Sequence, residues 1–133
     1  MKIGLDTNLL VRLLTDDDPD QADLVESLFE SLGKKDTTFL INEIVLAELD
    51  WVLTSVYDYS KKDFLKTIDQ LFKTENIAFN TPDLVKQAYK LYSKSNADFS
   101  DCYLSAQNNS LGCKTTYTFD KKASKLNTFT LLK

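Results

Sequence analysis

Lys2-Ile3-Gly4-Leu5-Asp6-Thr7-Asn8, continued by Leu9-Leu10-Val11-Arg12-Leu13-Leu14, is the stretch on which the reading of the chain turns. Its first half is a short apolar run with no room for a helix before it and reads as a strand; its second half carries apolar residues at helical spacing. Asp6 therefore falls at a strand-to-helix junction, the place where open α/β sheets bind ligands. A lone Asp there is equally suited to capping the helix. Its meaning depends on where the other acidic residues fall.

Working outward, Asp18-Pro19-Asp20-Gln21 reads as a helix start, with Asp18 as N-cap and Pro19 at the first position. Ala22, Val25, Leu28, Phe29 and Leu32 form its apolar stripe and Gly33 closes it. The run Asp16-Asp17-Asp18 lacks the spacing of a calcium loop and reads as a solvated loop and cap. A second strand follows at 37–41. Asn42 caps a helix from Glu43 to Val56 whose apolar residues are so widely spread that most of it is expected to be buried. Glu48 sits in its middle, and a carboxylate on such a helix needs a partner or a metal unless a narrow exposed stripe carries it. Trp51 reads as core or subunit-contact surface.

Ser60-Lys61-Lys62-Asp63 resembles a capping box opening a helix to Lys73. Then come a strand at 77–79 and a helix opened by Thr81-Pro82. Asp98 and Asp101, three apart, share a face near the start of the next helix, where backbone amides favour negative charge. That helix ends at Leu111-Gly112. A fourth strand, 115–119, delivers Asp120; Lys121 to Lys125 read as a short basic helix and 129–132 as an edge strand. Strands alternating with helices imply a mostly parallel sheet covered on both faces. With no linker or repeat, residues 1–133 read as a single domain.

Composition narrows the chemistry. The 133 residues contain no His, which excludes Ser-His-Asp and Cys-His sites, imidazole-based acid/base ribonuclease chemistry and ordinary zinc sites. Hydrolysis here must rest on carboxylates, with or without a hard metal. Cys102 and Cys113 read as reduced, buried small hydrophobes. The sequence shows neither a membrane span nor a secretory leader, so a cytoplasmic location is expected. A net charge of −4 argues against a general nucleic-acid-coating surface, but Lys114, Lys121, Lys122 and Lys125 can form a local basic lip.

In a parallel sheet the C-terminal strand ends lie along one edge. Asp6 and Asp120 end the first and fourth strands, Asp101 begins the helix before the fourth, and Glu48 sits on a crossover helix, so all four are expected in one cleft. Uncompensated, each close pair repels by about 4 kcal/mol at a surface-like dielectric. Divalent cations are the natural compensation, and all-oxygen ligands select Mg²⁺ or Mn²⁺.

At these residues the chain resembles a known family. Ile3-Gly4-Leu5-Asp6-Thr7-Asn8, Val45-Leu46-Ala47-Glu48 with Trp51-Val52-Leu53, Ala97-Asp98-Phe99-Ser100-Asp101, and Gly112-Cys113 leading into Thr118-Phe119-Asp120-Lys121-Lys122-Ala123 resemble the PIN-domain family, in particular VapC-type toxins. The resemblance implies a three-layer α/β/α fold with a five-stranded, mostly parallel sheet and Mg²⁺- or Mn²⁺-dependent endoribonuclease activity on single-stranded RNA. It further implies a place in a type II toxin-antitoxin system, a cognate antitoxin partner and a homodimer. Carried over by position, Asp6, Glu48, Asp101 and Asp120 match the acidic quartet, with Asp98 an accessory metal-binding acid. Thr7, Asn8 and Thr118 resemble its supporting polar residues, while Asp50 and the bulky Tyr117 depart from its pattern. Arg12, Lys121, Lys122 and Lys125 are candidate RNA contacts. Two other readings stand beside it: a phosphohydrolase with Asp6 as nucleophile, against which Asn8 speaks, and an inactive binding module of the same fold.

Overall fold

The computed structural model describes residues 1–33 and 36–133, which divide into two compact units, Met1–Asn80 and Thr81–Lys133. In the first unit, strand β1 (Lys2–Gly4) leads into helix α1 (Thr7–Leu14), followed by α2 (Pro19–Leu32), β2 (Thr38–Ile41), α3 (Glu43–Ser55), α4 (Lys61–Lys73) and β3 (Ile77–Phe79). The strands pair in parallel in the order β1-β2-β3, with Ile3 opposite Phe39 and Phe39 opposite Ile77. The helix starts are those the sequence marks. Asp18 accepts from the Gln21 amide at 3.1 Å with Pro19 beside it, and Ser60 and Asp63 exchange both bonds of a capping box. Leu10, Leu46, Leu49, Leu53, Phe64 and Ile68 are fully buried, and Phe29 meets Phe39 edge-on at 4.5 Å, closing α2 onto the sheet.

The second unit contains α5 (Pro82–Lys94), α6 (Phe99–Ser110), β4 (Thr116–Thr118), a single 3-10 turn (Ala123–Lys125) and β5 (Phe129–Leu131). Val85, Ala88, Phe99, Cys102 and Ala106 pack α5 on α6, with Tyr92 and Phe99 rings edge-on at 5.6 Å. β4 and β5 are parallel, with Tyr117 opposite Thr130.

Four expectations need correction. The five strands are present and every pairing is parallel, but the ladders form one three-stranded and one two-stranded sheet rather than a single sheet of five. Strands of three or four residues offer few ladder bonds each, so apolar runs do not record which strands join. Helix α3 is not mostly buried: Ile44, Glu48, Trp51 and Ser55 share an exposed face, Ile44 at 68% and Trp51 at 65% exposure. Apolar spread does not distinguish a core helix from one that also presents an apolar surface. Lys121–Lys125 is not a helix but ends in the three-residue 3-10 turn. Cys113 is exposed, although Cys102 is buried as expected and both are free thiols. No described helix is long and apolar enough to cross a membrane.

Candidate metal centre

The second unit assembles the acidic cluster from two pieces of local structure. Ala97 and Phe99 are buried and fix the start of α6 between them; Asp98 takes the N-cap position with extended backbone, yet its side chain makes no capping hydrogen bond. Asp101 lies in the first turn of the same helix. Asp120 arrives from the far end of β4. Its backbone N–H donates to the Thr118 hydroxyl at 3.0 Å, and its carboxylate accepts from the backbone of Lys122 at 2.8 Å and Ala123 at 3.2 Å. This Asx-type turn fixes the direction of the side chain. The Asn108 carboxamide donates to the Thr116 hydroxyl at 2.9 Å, tying β4 to α6.

One carboxylate oxygen from each of Asp98, Asp101 and Asp120 lies within 4.8 Å of the others. Asp98 and Asp120 are exposed and Asp101 is half-buried. Burial, then the negative charges of Asp120 and Asp98, hold the Asp101 carboxyl above the usual range. Capping alone does not account for the cluster: the Asp98 carbonyl accepts from the Cys102 amide at 3.0 Å, but its carboxylate makes no capping hydrogen bond.

In the first unit, Asp6 is exposed at the N-cap of α1 and accepts from the Thr7 amide at 2.7 Å. The capping alternative is thus a real part of its role. Thr7 is buried to 4% exposure and its hydroxyl has no hydrogen-bond partner. Asn8 is exposed, and Glu48 stands on the exposed face of α3, so it needs no buried partner.

Arg12 is engaged internally. Its Nε donates to Gln21 at 2.6 Å, and one terminal nitrogen donates to Asp17 at 3.1 Å and to the Tyr57 hydroxyl at 3.2 Å. To contact RNA it would have to leave these partners, whereas Lys121, Lys122 and Lys125 are exposed directly after Asp120. This network was not legible in the sequence, because it joins residues 5 to 45 positions apart.

Residues 3–128 match the PIN domain family. The chain belongs to the PIN domain family. The matched span runs from β1 to just before β5 and includes Asp6, Glu48, Asp98, Asp101 and Asp120. The chain is also 27% identical over 122 residues to a VapC ribonuclease of Aquifex aeolicus (strain VF5), covering 92% of this chain and 90% of that one.

The residues of this PIN domain fit a hard divalent cation. The clustered donors of the second unit are all carboxylate oxygens, and the chain holds no His.

Proposed function

We propose that this PIN domain is a Mg²⁺- or Mn²⁺-dependent endoribonuclease acting on single-stranded RNA, and the toxin of a type II toxin-antitoxin system. The observation that carries the reading is the meeting of the Asp98, Asp101 and Asp120 carboxylates within 4.8 Å. Three acids that repel unless compensated favour a cation among them, and the similarity to a VapC ribonuclease supports reading the activity as that of a nuclease.

In this reading residues 1–133 act as one PIN-like domain with the three-layer arrangement and act as a homodimer in the cytoplasm. Asp6, Glu48, Asp101 and Asp120 form the catalytic set, with Asp98 as a further metal-binding acid. When bound, such an ion polarises the phosphodiester and lowers the pKa of an attacking water. The chain's own contributions are positional. The backbone amides of Lys122 and Ala123 hold the Asp120 carboxylate in place, while Thr118 fixes the turn that carries it. Thr7 and Asn8 orient Asp6 and water around it. Lys121, Lys122 and Lys125 contact phosphates and attract the strand. A cognate antitoxin would hold the enzyme inactive until released.

Purified protein freed of any antitoxin should cleave RNA with Mn²⁺ and stop on addition of EDTA. Asp6→Asn and Asp101→Asn should each remove cleavage. Intact RNA in every condition, or full cleavage by Asp6→Asn, would defeat the proposal.

A further inference from the structure

The outward face of the two-stranded sheet carries two large aromatic side chains that the core does not use. Tyr117 is 67% exposed in the middle of β4, and Phe119, just past its end, is 78% exposed. The alternate residues point the other way: Thr116 meets Asn108, and Thr118 accepts from the Asp120 amide. Thr130, opposite Tyr117 on β5, is exposed too. Parallel sheets ordinarily have both faces covered, so an uncovered one with two aromatic rings is a surface awaiting an occupant.

The neighbours say which occupant. Phe119 directly precedes Asp120, whose carboxylate belongs to the acidic cluster, and the exposed Lys121 and Lys122 follow it. Aromatic rings followed closely along the chain by lysines suit unpaired nucleotides: bases stack on the rings and phosphates meet the ammonium groups. Tyr117 lies in β4 and Phe119 in the bend just past its end, two residues on, a step of about 6.6 Å wherever the chain is extended. A protein partner would find apolar area here as well, but the flanking lysines and the adjoining cation-holding acids favour a polyanion.

We infer that Tyr117 and Phe119 form a stacking platform that binds unpaired bases of the RNA substrate beside the Asp98–Asp101–Asp120 cluster. The inference rests on the nuclease reading for its substrate, and assigns to these two rings the task of positioning the strand. Stacking is tolerant of sequence, so the platform favours unpaired over paired RNA without selecting a base.

The experiment compares wild type, Tyr117→Leu, Phe119→Leu, the double variant and Phe119→Trp. Binding of a labelled short oligoadenylate, and of an abasic ribose-phosphate chain of equal length, is measured by fluorescence anisotropy in EDTA. The double variant should bind oligoadenylate about tenfold more weakly, with each single variant between. Binding of the abasic chain should not change, and Phe119→Trp should retain wild-type affinity. Because both positions are exposed, melting temperatures should stay level; should the double variant fail to fold, the single variants and Phe119→Trp give the same reading. Equal affinities for oligoadenylate across the series, or equal losses on both chains, overturn the platform. If only self-association changes, a second copy covers the face and the inference fails. The two proposals separate cleanly: RNA cleavage with unaltered KM in the Leu variants defeats the platform alone, whereas base-dependent binding without any cleavage defeats the nuclease alone.

Discussion

Asp101 is the residue at which the proposed function and stability pull apart. Its carboxyl titrates above the usual range because it is partly buried and faces Asp120 and Asp98. A raised acid pKa means that the folded chain holds its proton more tightly than the unfolded one. Below the unfolded value the group contributes nothing; as pH rises through the raised folded value, ionisation progressively destabilises the fold, and above it the penalty is constant. Asp101→Asn should therefore melt at a higher temperature than wild type at neutral pH in EDTA. The gap should close on acidification through that window. Thermal scans of both proteins across pH check this, and a gap that widens toward acid would show that the fold holds the Asp101 carboxyl below the usual range rather than above it. Cleavage should be lost in the same variant, so the most stable form is the inactive one.

At the scale of elements, two helix starts are legible because their chemistry lies within a few residues of chain, whereas Asn42 opens α3 without a side-chain capping bond. Asp18-Pro19 and Ser60–Asp63 both mark helix starts within four residues of chain, and both caps are made. Ser60→Ala should lower stability by about 1 kcal/mol, measurable by urea titration. Asp63 adds a pH signature: the Ser60 backbone and side-chain hydrogen bonds hold its carboxyl below the usual range. Its stabilising contribution is present above the ordinary carboxylate value and is lost as pH falls through the lowered one. Asp63→Asn should thus be less stable than wild type at neutral pH and equal to it in strong acid. What the sequence could not disclose depends on distant partners. Nothing in the spread of apolar residues on α3 tells that Ile44 and Trp51 face outward, and Arg12 gives no sign that Asp17, Gln21 and Tyr57 claim it. Likewise the acids at 98, 101 and 120 were visible as a pattern, but their approach depends on an Asx-type turn at Asp120 and the Asn108–Thr116 tie.

For the whole molecule the question is how many carboxylates would hold the proposed ion. A ligand that binds only the folded chain stabilises it by about 2.7 kcal/mol at a hundredfold excess over its Kd. For a domain between the small and middle size classes this corresponds to roughly 5–15 °C in melting temperature. Mn²⁺ should produce a rise of that order in wild type, and Asp101→Asn should remove most of it. Asp6→Asn is the informative partner, since Asp6 belongs to the first unit and the three clustered acids to the second. If the proposed quartet holds the ion jointly, Asp6→Asn alone should cut the Mn²⁺ shift as deeply as Asp101→Asn, and both halves of the chain should melt in one transition. A full shift in Asp6→Asn would mean that the second unit binds the ion by itself. Asp6 would then be the helix cap that its bond to the Thr7 amide already makes it, and the nuclease reading would lose its first carboxylate.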